Sequence, residues 1–161
     1  MHQTMIENEK RSRALLILSD ALQGNFISGF SVGDWWVLYL GGYYLVAQEV
    51  VSEDEIQLNQ WYQANYPPFA DCVDKEFISK TTVMTAHRQR LITEVALDDA
   101  YNLTLSFDNN SKLTLSTDAD IVDWQWTLNT SGNDPYMDCL VGCFWKGEIV
   151  IHEADALPEH E

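Results

Sequence analysis

The sequence predicts an α+β protein in which two related three-stranded antiparallel β-units form a sheet system, with an N-terminal helix and a central helix packed on it. Apolar and polar residues alternate along residues 91–128, and short apolar segments separated by glycine turns fill residues 26–48. Apolar residues within 4–23 recur at helical spacing, and residues 52–66 begin with a helix-start signal. A chain of 161 residues, 46% of them hydrophobic, can bury a core, so we expect one domain.

The N-terminal segment has the pattern of an amphipathic helix. Ala14, Leu18, Ala21 and Leu22 recur at helical spacing, and Gly24 suits the position just after a helix ends. The residues before them are polar and charged where a secretory signal needs an apolar stretch, and no apolar run has membrane-spanning length. We therefore expect a cytoplasmic protein that does not enter a membrane.

The first β-unit consists of three short segments joined by two tight turns. Gly33-Asp34 and Gly41-Gly42 separate the segments, and such pairs favour two-residue turns because these residues tolerate left-handed backbone. The middle segment is apolar on both faces. That pattern predicts a strand in the interior of a sheet or between layers.

The central helix has clear start and stop signals. Ser52 can accept a hydrogen bond from a backbone N–H of the first turn while Glu55 reaches back to the N–H of Ser52, and Pro67 forbids continuation. Residues 69–90 carry mixed signals. A helical turn or two is expected near Phe77, and the β-branched residues in 81–85 favour a strand.

The pattern of the second β-unit predicts a meander of four short strands. Asp108 to Ser111 supply the turn between the second and third strands. By alternation, Trp124 and Trp126 of the fourth strand share one face. Residues 137–152 predict a terminal hairpin, and residues 153–161 an acidic tail.

The two β-units resemble each other in pattern at a spacing of 65 to 68 residues. In this alignment Val37 and Tyr39 of the first unit correspond to Leu103 and Leu105 of the second. Few identities support the alignment, so it is a similarity of pattern. Two related units would explain the chain economically.

The net charge of −16 is the most unusual global property. It disfavours binding to nucleic acid or to an anionic membrane, because both require a basic face. Residues 91–128 contain seven acidic residues and one lysine, which predicts a negative surface for a basic protein partner, although a merely solubilising surface would give the same charge. The candidate contact residues are Asp98, Asp99, Asp108, Asp118, Asp120 and Asp123.

A small-ligand pocket between sheet and helix is a second hypothesis. Pockets lined by aromatic rings bind small molecules, but the same rings would equally fill a core. The candidate pocket residues are Trp35, Trp36, Trp61, Trp124 and Trp126.

No catalytic signature occurs in the sequence: there is no phosphate loop, dinucleotide fingerprint, nucleophile elbow, HExxH or CxxC. Asp118, Asp120 and Asp123 lack the glycine and the spaced glutamate of a calcium loop, and the four histidines are scattered. The sequence therefore implies no metal, no cofactor and no catalytic residue. An enzyme of unrecognised type would need titratable side chains gathered by the fold.

Three cysteines, an odd number, agree with a reducing compartment. Cys139 and Cys143 are four residues apart, which places them on one face of a strand and roughly 13 Å from each other, too far for a disulfide. We expect buried thiols.

The second half of the chain resembles a family of bacterial domains of unknown function, some of which neighbour polymorphic toxins and are regarded as their immunity proteins. The resemblance lies in the order LTLSFDNNSKLTL, DWQWTL and a terminal hairpin, CLVGCFWKGEIVI, which lacks the Gly-Gly of that pattern. It covers about the last seventy residues and carries no functional residues over. It implies a non-enzymatic binding protein that neutralises a partner toxin.

Overall fold

The computed structural model describes residues 2–120, 122–145 and 147–152, and its architecture is α+β, as predicted. The helices in this part of the chain are α1 (His2–Leu22), α2 (Glu55–Asn65) and α3 (Lys75–His87), with a 3-10 helix at Pro67–Asp71. The strands are β1 (Gly29–Val32), β2 (Trp36–Leu40), β3 (Tyr43–Ala47), β4 (Val50–Val51), β5 (Ile92–Leu97), β6 (Leu103–Phe107), β7 (Lys112–Leu115), β8 (Trp126–Asn129), β9 (Cys139–Phe144) and β10 (Glu148–Ile151).

The strands form two antiparallel sheets. One has six strands in the order β1-β2-β3-β8-β9-β10, and the other has four in the order β4-β7-β6-β5. Each predicted β-unit is therefore a three-stranded meander, one in each sheet. Sequence alternation and turn chemistry account for both meanders, including the glycine turn that pairs Leu40 with Tyr43.

The strand β8 does not continue the second meander, and this part of the prediction is wrong. It pairs with β3 and β9 in the six-stranded sheet. All four of its residues are buried, so it needs cover on both faces, which the interior of the larger sheet provides. The indole N–H of Trp126 donates a 2.8 Å hydrogen bond to the carbonyl of Tyr101 and links β8 to the other unit.

The main hydrophobic cluster joins the inner faces of both sheets to α1 and α3. Ala14, Leu18 and Leu22 of α1 and Met84 of α3 are fully buried in it. Gly24, at φ +84°, ends α1 in the left-handed conformation that favours glycine. The outer face of the four-stranded sheet is polar, so this sheet is buried on one side only.

Residues 81–85 lie in α3, so the predicted strand is wrong. The hydroxyls of Thr81 and Thr82 donate to the carbonyls of Phe77 and Ile78 one turn earlier, which satisfies them within the helix. The buried residues of α3 recur at helical spacing: Ser79, Lys80, Val83, Met84 and His87. Burial of this helix face outweighs the β propensity of the threonines.

The helix α2 begins three residues after the predicted start. Glu55 does reach back to the backbone N–H of Ser52, at 2.9 Å, but the Ser52 hydroxyl accepts from the N–H of Asp54. Within α2 no residue is buried, and its main contacts are with α3 and the 3-10 helix. It is therefore α3, rather than α2, that places buried residues in the core.

Lys80 of α3 connects α2 and α3 to β4, the edge strand of the four-stranded sheet. Its buried ammonium donates to the Val50 carbonyl and lies 3.1 Å from a Glu55 carboxylate oxygen and 4.0 Å from one of Glu49. A buried ammonium needs such partners because an unpaired charge in the interior is costly.

The residue alignment of the two units fails in their middle strands. Leu103 and Leu105 face the main cluster, whereas Val37 and Tyr39 belong to a second cluster on the outer face of the six-stranded sheet. The units share the order of their three antiparallel strands. Their side-chain faces do not match at these positions.

Candidate functional site

A second hydrophobic cluster covers the outer face of the six-stranded sheet. Val37, Val46 and Trp124 are its buried members, and the partly buried residues packed on it are Trp35, Tyr39, Tyr44 and Phe144. It exists because β2 and β3 are apolar on both faces: successive strand residues point to opposite sides of a sheet, so both sides need cover.

Two loops cover this cluster incompletely and leave a cleft of about 490 Å³. One is the connection before β8, and the other is the loop between β8 and β9. Trp35, in the turn between β1 and β2, donates its indole N–H to the carbonyl of Asn133 at 3.2 Å and fixes the second loop to the sheet. The lining residues are Trp35, Asp123, Trp124, Asn133, Asp134, Pro135 and Tyr136.

Aromatic rings form the walls of this cleft. Trp35 and Trp124 meet edge to face, with ring centroids 5.3 Å apart and planes at 85°. Tyr136 lies on the ring of Phe144, with centroids 5.7 Å apart. Such contacts hold rings in fixed orientations, so the rings that line the cleft are preorganised.

The charged groups of the cleft are both acidic. Asp123 and Asp134 line it, and none of its lining residues is a lysine, an arginine or a histidine. A hydrogen bond from the Tyr136 hydroxyl to Asp123 raises the pKa of Tyr136 to about 12, so the phenol keeps its proton at neutral pH. Asp134 accepts from the backbone N–H of Tyr136 at 2.9 Å. The carboxylates are thus held near the rings.

Aromatic faces beside carboxylates favour an organic cation. The negative face of a tryptophan or tyrosine ring attracts an ammonium or guanidinium group, and a nearby carboxylate supplies the opposite charge. A volume of about 490 Å³ is sufficient for an arginine or lysine side chain or a small quaternary amine. Binding is the chemistry this arrangement can perform.

The six predicted acidic residues do not form one surface, and Asp123 alone among them lines the cleft. Asp98 and Asp99 lie in the loop between β5 and β6, next to α1. Asp99 pairs with Arg11 at 2.5 Å. Partial burial acts to raise the pKa of Asp98, but hydrogen bonds from Asn102 and from the Ala100 backbone outweigh it and lower the pKa.

Of the other three, Asp108 lies apart from Asp98, whereas Asp118 follows Thr117, whose backbone N–H donates to Asn102, the hydrogen-bond partner of Asp98. Asp108 is at the opposite end of β6 from Asp98, with a carboxylate oxygen 3.8 Å from a guanidinium nitrogen of Arg90. Asp118 and Asp120 are exposed in the connection between β7 and β8. Turn formation and local ion pairs account for most of these positions.

The five predicted pocket tryptophans occupy three places. Trp36 and Trp126 are 2% and 0% exposed in the main core, and Trp61 is 57% exposed on α2. Trp35 and Trp124 come together in the cleft. Two of the five therefore line the cleft on the outer face of the sheet, and Trp61 lines a separate cavity between α2 and α3.

Trp124 and Trp126 face opposite sides of the sheet, so the expectation of a shared face is wrong. The alternation breaks at Gln125, which is buried and donates its side-chain amide to the carbonyl of Ala119 at 3.1 Å. The backbone N–H of Gln125 pairs with Cys143, while β8 itself starts only at Trp126. Alternation does not extend across this break.

Sequence reasoning missed four of the lining residues, Asn133 to Tyr136, because they lie in a loop without periodicity. The aromatic and acidic residues within that loop, Asp134 and Tyr136, were the available signal. A loop that carries such residues often serves binding.

Cys139 and Cys143 lie on opposite faces of β9, contrary to the prediction. The register of β9 against β8 shifts at Leu128 and Asn129, and this irregularity turns Cys139 to the outer face, where its sulfur neighbours Gly142. Cys143 belongs to the main cluster. Burial raises the pKa of Cys139 to about 12 and that of Cys143 to about 11, so neither is an activated nucleophile.

Among the described residues, no group of three or more His, Cys, Asp or Glu side chains is arranged to hold a metal ion. None of the helices in the described part of the chain has the length and apolar character needed to cross a membrane. Comparison of the chain with protein-family models, with curated proteins and with solved structures finds no match. The candidate site is therefore defined by its geometry.

Proposed function

We propose that this chain is a non-enzymatic, acidic binding protein for a basic protein partner, and that an arginine or lysine side chain of the partner enters the aromatic cleft. The observation that carries the proposal is the cleft itself: two tryptophans and a tyrosine stand beside Asp123 and Asp134, without a competing basic residue. A net charge of −16 would speed the approach of such a partner.

We further propose that the partner is a toxin that this protein neutralises, as an immunity protein does. The acidity of the chain and the resemblance of its second half to immunity-associated bacterial domains support this role. Such a protein needs a surface with a few strong anchor points, and aromatic residues commonly supply them.

The cleft is tested with matched small probes. The probes are acetyl-arginine amide and acetyl-citrulline amide, which have nearly the same shape but differ in charge. We expect the arginine compound to bind with millimolar affinity and the citrulline compound about tenfold more weakly, because cation–π attraction and the carboxylates act on the charge. Nuclear magnetic resonance titration, observed at the indole signals of Trp35 and Trp124, measures both.

Two variants identify the residues involved. Asp123→Asn removes a cleft carboxylate and should weaken arginine binding about fivefold. Asp108→Asn, at the far end of β6, is the matched control and should leave it unchanged. Equal binding of the two probes, or equal effects of the two variants, would disprove the cation site.

A small free cation is the alternative ligand of the same cleft. Its enclosure by Trp35, Trp124 and Tyr136 would also suit a quaternary amine such as tetramethylammonium. Binding of tetramethylammonium at least tenfold tighter than that of the arginine probe would favour the small-ligand function. The opposite order supports a partner's side chain.

A further inference from the structure

The helices α2 and α3 enclose a second cavity, of about 410 Å³, on the other side of the six-stranded sheet from the aromatic cleft. Its walls are mainly apolar: Leu58 and Trp61 come from α2, and Val83 and Ala86 from α3. Its polar lining residues are Asp54, Gln57, Thr82 and His87. The cavity is large enough for one bulky apolar side chain.

A polar cavity of about 250 Å³ adjoins this apolar cavity, and the two share Asp54. A 2.6 Å hydrogen bond between His87 and Ser111 spans the boundary. The other residues of the polar cavity are Ser52, Glu53, Asn109, Asn110 and Lys112. Together the two cavities form a groove, termed here the α2–α3 groove, with one apolar end and one polar end in which Glu53 and Asp54 outnumber Lys112.

An exposed aromatic side chain borders the groove. Within α2 no residue is buried, and Trp61, which lines the apolar cavity, is 57% exposed. An exposed aromatic ring at the edge of an apolar cavity is typical of an interaction site. Ile56 and Tyr66, at 70% and 47%, are exposed on the same segment but do not line the groove.

The negative charge around the groove favours a basic partner. Residues 49–76 contain seven acidic residues and one lysine, and Lys112 adds one positive charge at the polar end of the groove. Glu49 and Glu55 face the buried Lys80, so their charge compensates that of the ammonium group. The remaining five are exposed: Glu53, Asp54, Asp71, Asp74 and Glu76. A second copy of this chain, also at −16, would be repelled, whereas a basic segment would be attracted.

We infer that the α2–α3 groove receives an amphipathic basic segment of a partner protein, which places one apolar side chain in the cavity beside Trp61 and a neighbouring lysine or arginine against Glu53 and Asp54. The inference rests on the proposed function only in the basic character of the partner. The groove and the aromatic cleft share no lining residue, so each can be tested while the other is intact.

The test uses a short amphipathic peptide of leucine and lysine as the probe, together with two matched peptides. One has glutamate in place of lysine, and the other has serine in place of leucine. We expect the leucine–lysine peptide to bind at least tenfold tighter than either, because it alone supplies both the apolar anchor and the positive charge. Backbone amide shifts at Thr82 and Ala86 report binding in the groove.

Variants of the full chain locate the anchor. Ala86→Leu fills the cavity from an exposed helical position and should lower the affinity for the peptide about tenfold. Ala96→Leu makes the same change on the exposed side of β5 and should have no effect. Trp61→Ser, at a largely exposed position, repeats the test if Ala86→Leu disturbs the fold.

The outcomes separate the two proposals. Equal affinity of the Ala86→Leu and Ala96→Leu variants, or equal binding of the lysine and glutamate peptides, overturns the groove assignment. The arginine probe of the aromatic cleft should bind the Ala86→Leu variant as well as the unchanged protein. Loss of the peptide alone therefore concerns the groove, and loss of the arginine probe alone concerns the cleft.

Discussion

The two faces of the six-stranded sheet are both covered at their centre, but in different ways. On the inner face, Trp126 is fully buried and its indole N–H has a backbone partner. On the outer face, Trp124 is nearly as buried, yet its ring borders a cleft of about 490 Å³. Helices and a second sheet complete the inner face, whereas loops cover the outer one.

This difference shows where binding is compatible with folding. Packed elements fill a core to crystal-like density, so an inner aromatic ring has no room for a ligand. Loops that cross a sheet face leave gaps, and in this protein the gap is bordered by rings and by Asp123 and Asp134. The aromatic residues that are not packed within the core are therefore the candidates for binding.

The largest expected difference between the two faces comes from truncating each tryptophan to alanine. Trp126→Ala should lower the free energy of unfolding by about 3–5 kcal/mol, because it leaves a cavity among packed groups and the Tyr101 carbonyl without its donor. Trp124→Ala should cost about 1–3 kcal/mol, since water can enter from the cleft. Urea denaturation measures both variants. Equal losses would mean that the two faces are packed alike.

The course of the backbone follows from local signals in the sequence. The side of the sheet to which each strand residue points does not. The turn at Gly41 and Gly42 is a feature of neighbouring residues, as is the left-handed Asn110 in the turn after β6. The reversal between Trp124 and Trp126 depends on Gln125, whose backbone pairs with strands far along the chain. Alternation cannot reveal a break of that origin.

The candidate site was only partly predictable for the same reason. Trp35, Asp123 and Trp124 were selected from the sequence as aromatic or acidic residues. Their meeting depends on the pairing of β8 with β3, and the hydrogen bond from Trp35 to Asn133, a residue 98 positions away in the chain, adds the second loop. The composition of the sequence supplied the residue types, and tertiary structure alone joined them.

A smaller loss of stability is expected from adding a methyl group to the crowded outer face of β9. A Cβ atom added to Gly142 would lie 2.8 Å from both the Phe144 ring and the Thr127 methyl, and 3.3 Å from the sulfur of Cys139. Gly142→Ala should therefore cost about 1–3 kcal/mol of stability through overpacking. Thermal unfolding followed by circular dichroism measures the loss.

Two controls determine whether packing is the cause. Gly29→Ala, in the edge strand β1, adds a Cβ at an ordinary 3.5 Å from Tyr39 and should be nearly neutral. Thr127→Ser removes the methyl that crowds Gly142 and should recover part of the loss when combined with Gly142→Ala. A loss at Gly29 as large as that at Gly142 would point instead to the strand backbone.

The smallest effect, and the one with the opposite sign, is expected at Thr127 itself. Its hydroxyl is buried on the outer face and has no hydrogen-bond partner among the described residues. Thr127→Val removes this polar atom at nearly constant shape, so we expect unchanged stability or a gain of up to about 1 kcal/mol. Thr104→Val is the matched control, because the Thr104 hydroxyl does bond to that of Thr114, at 3.0 Å, on the polar face of the other sheet. It should lose about 0.5–1 kcal/mol, and a loss at Thr127 as large as this would mean that the Thr127 hydroxyl has a hydrogen-bond partner, as the Thr104 hydroxyl has.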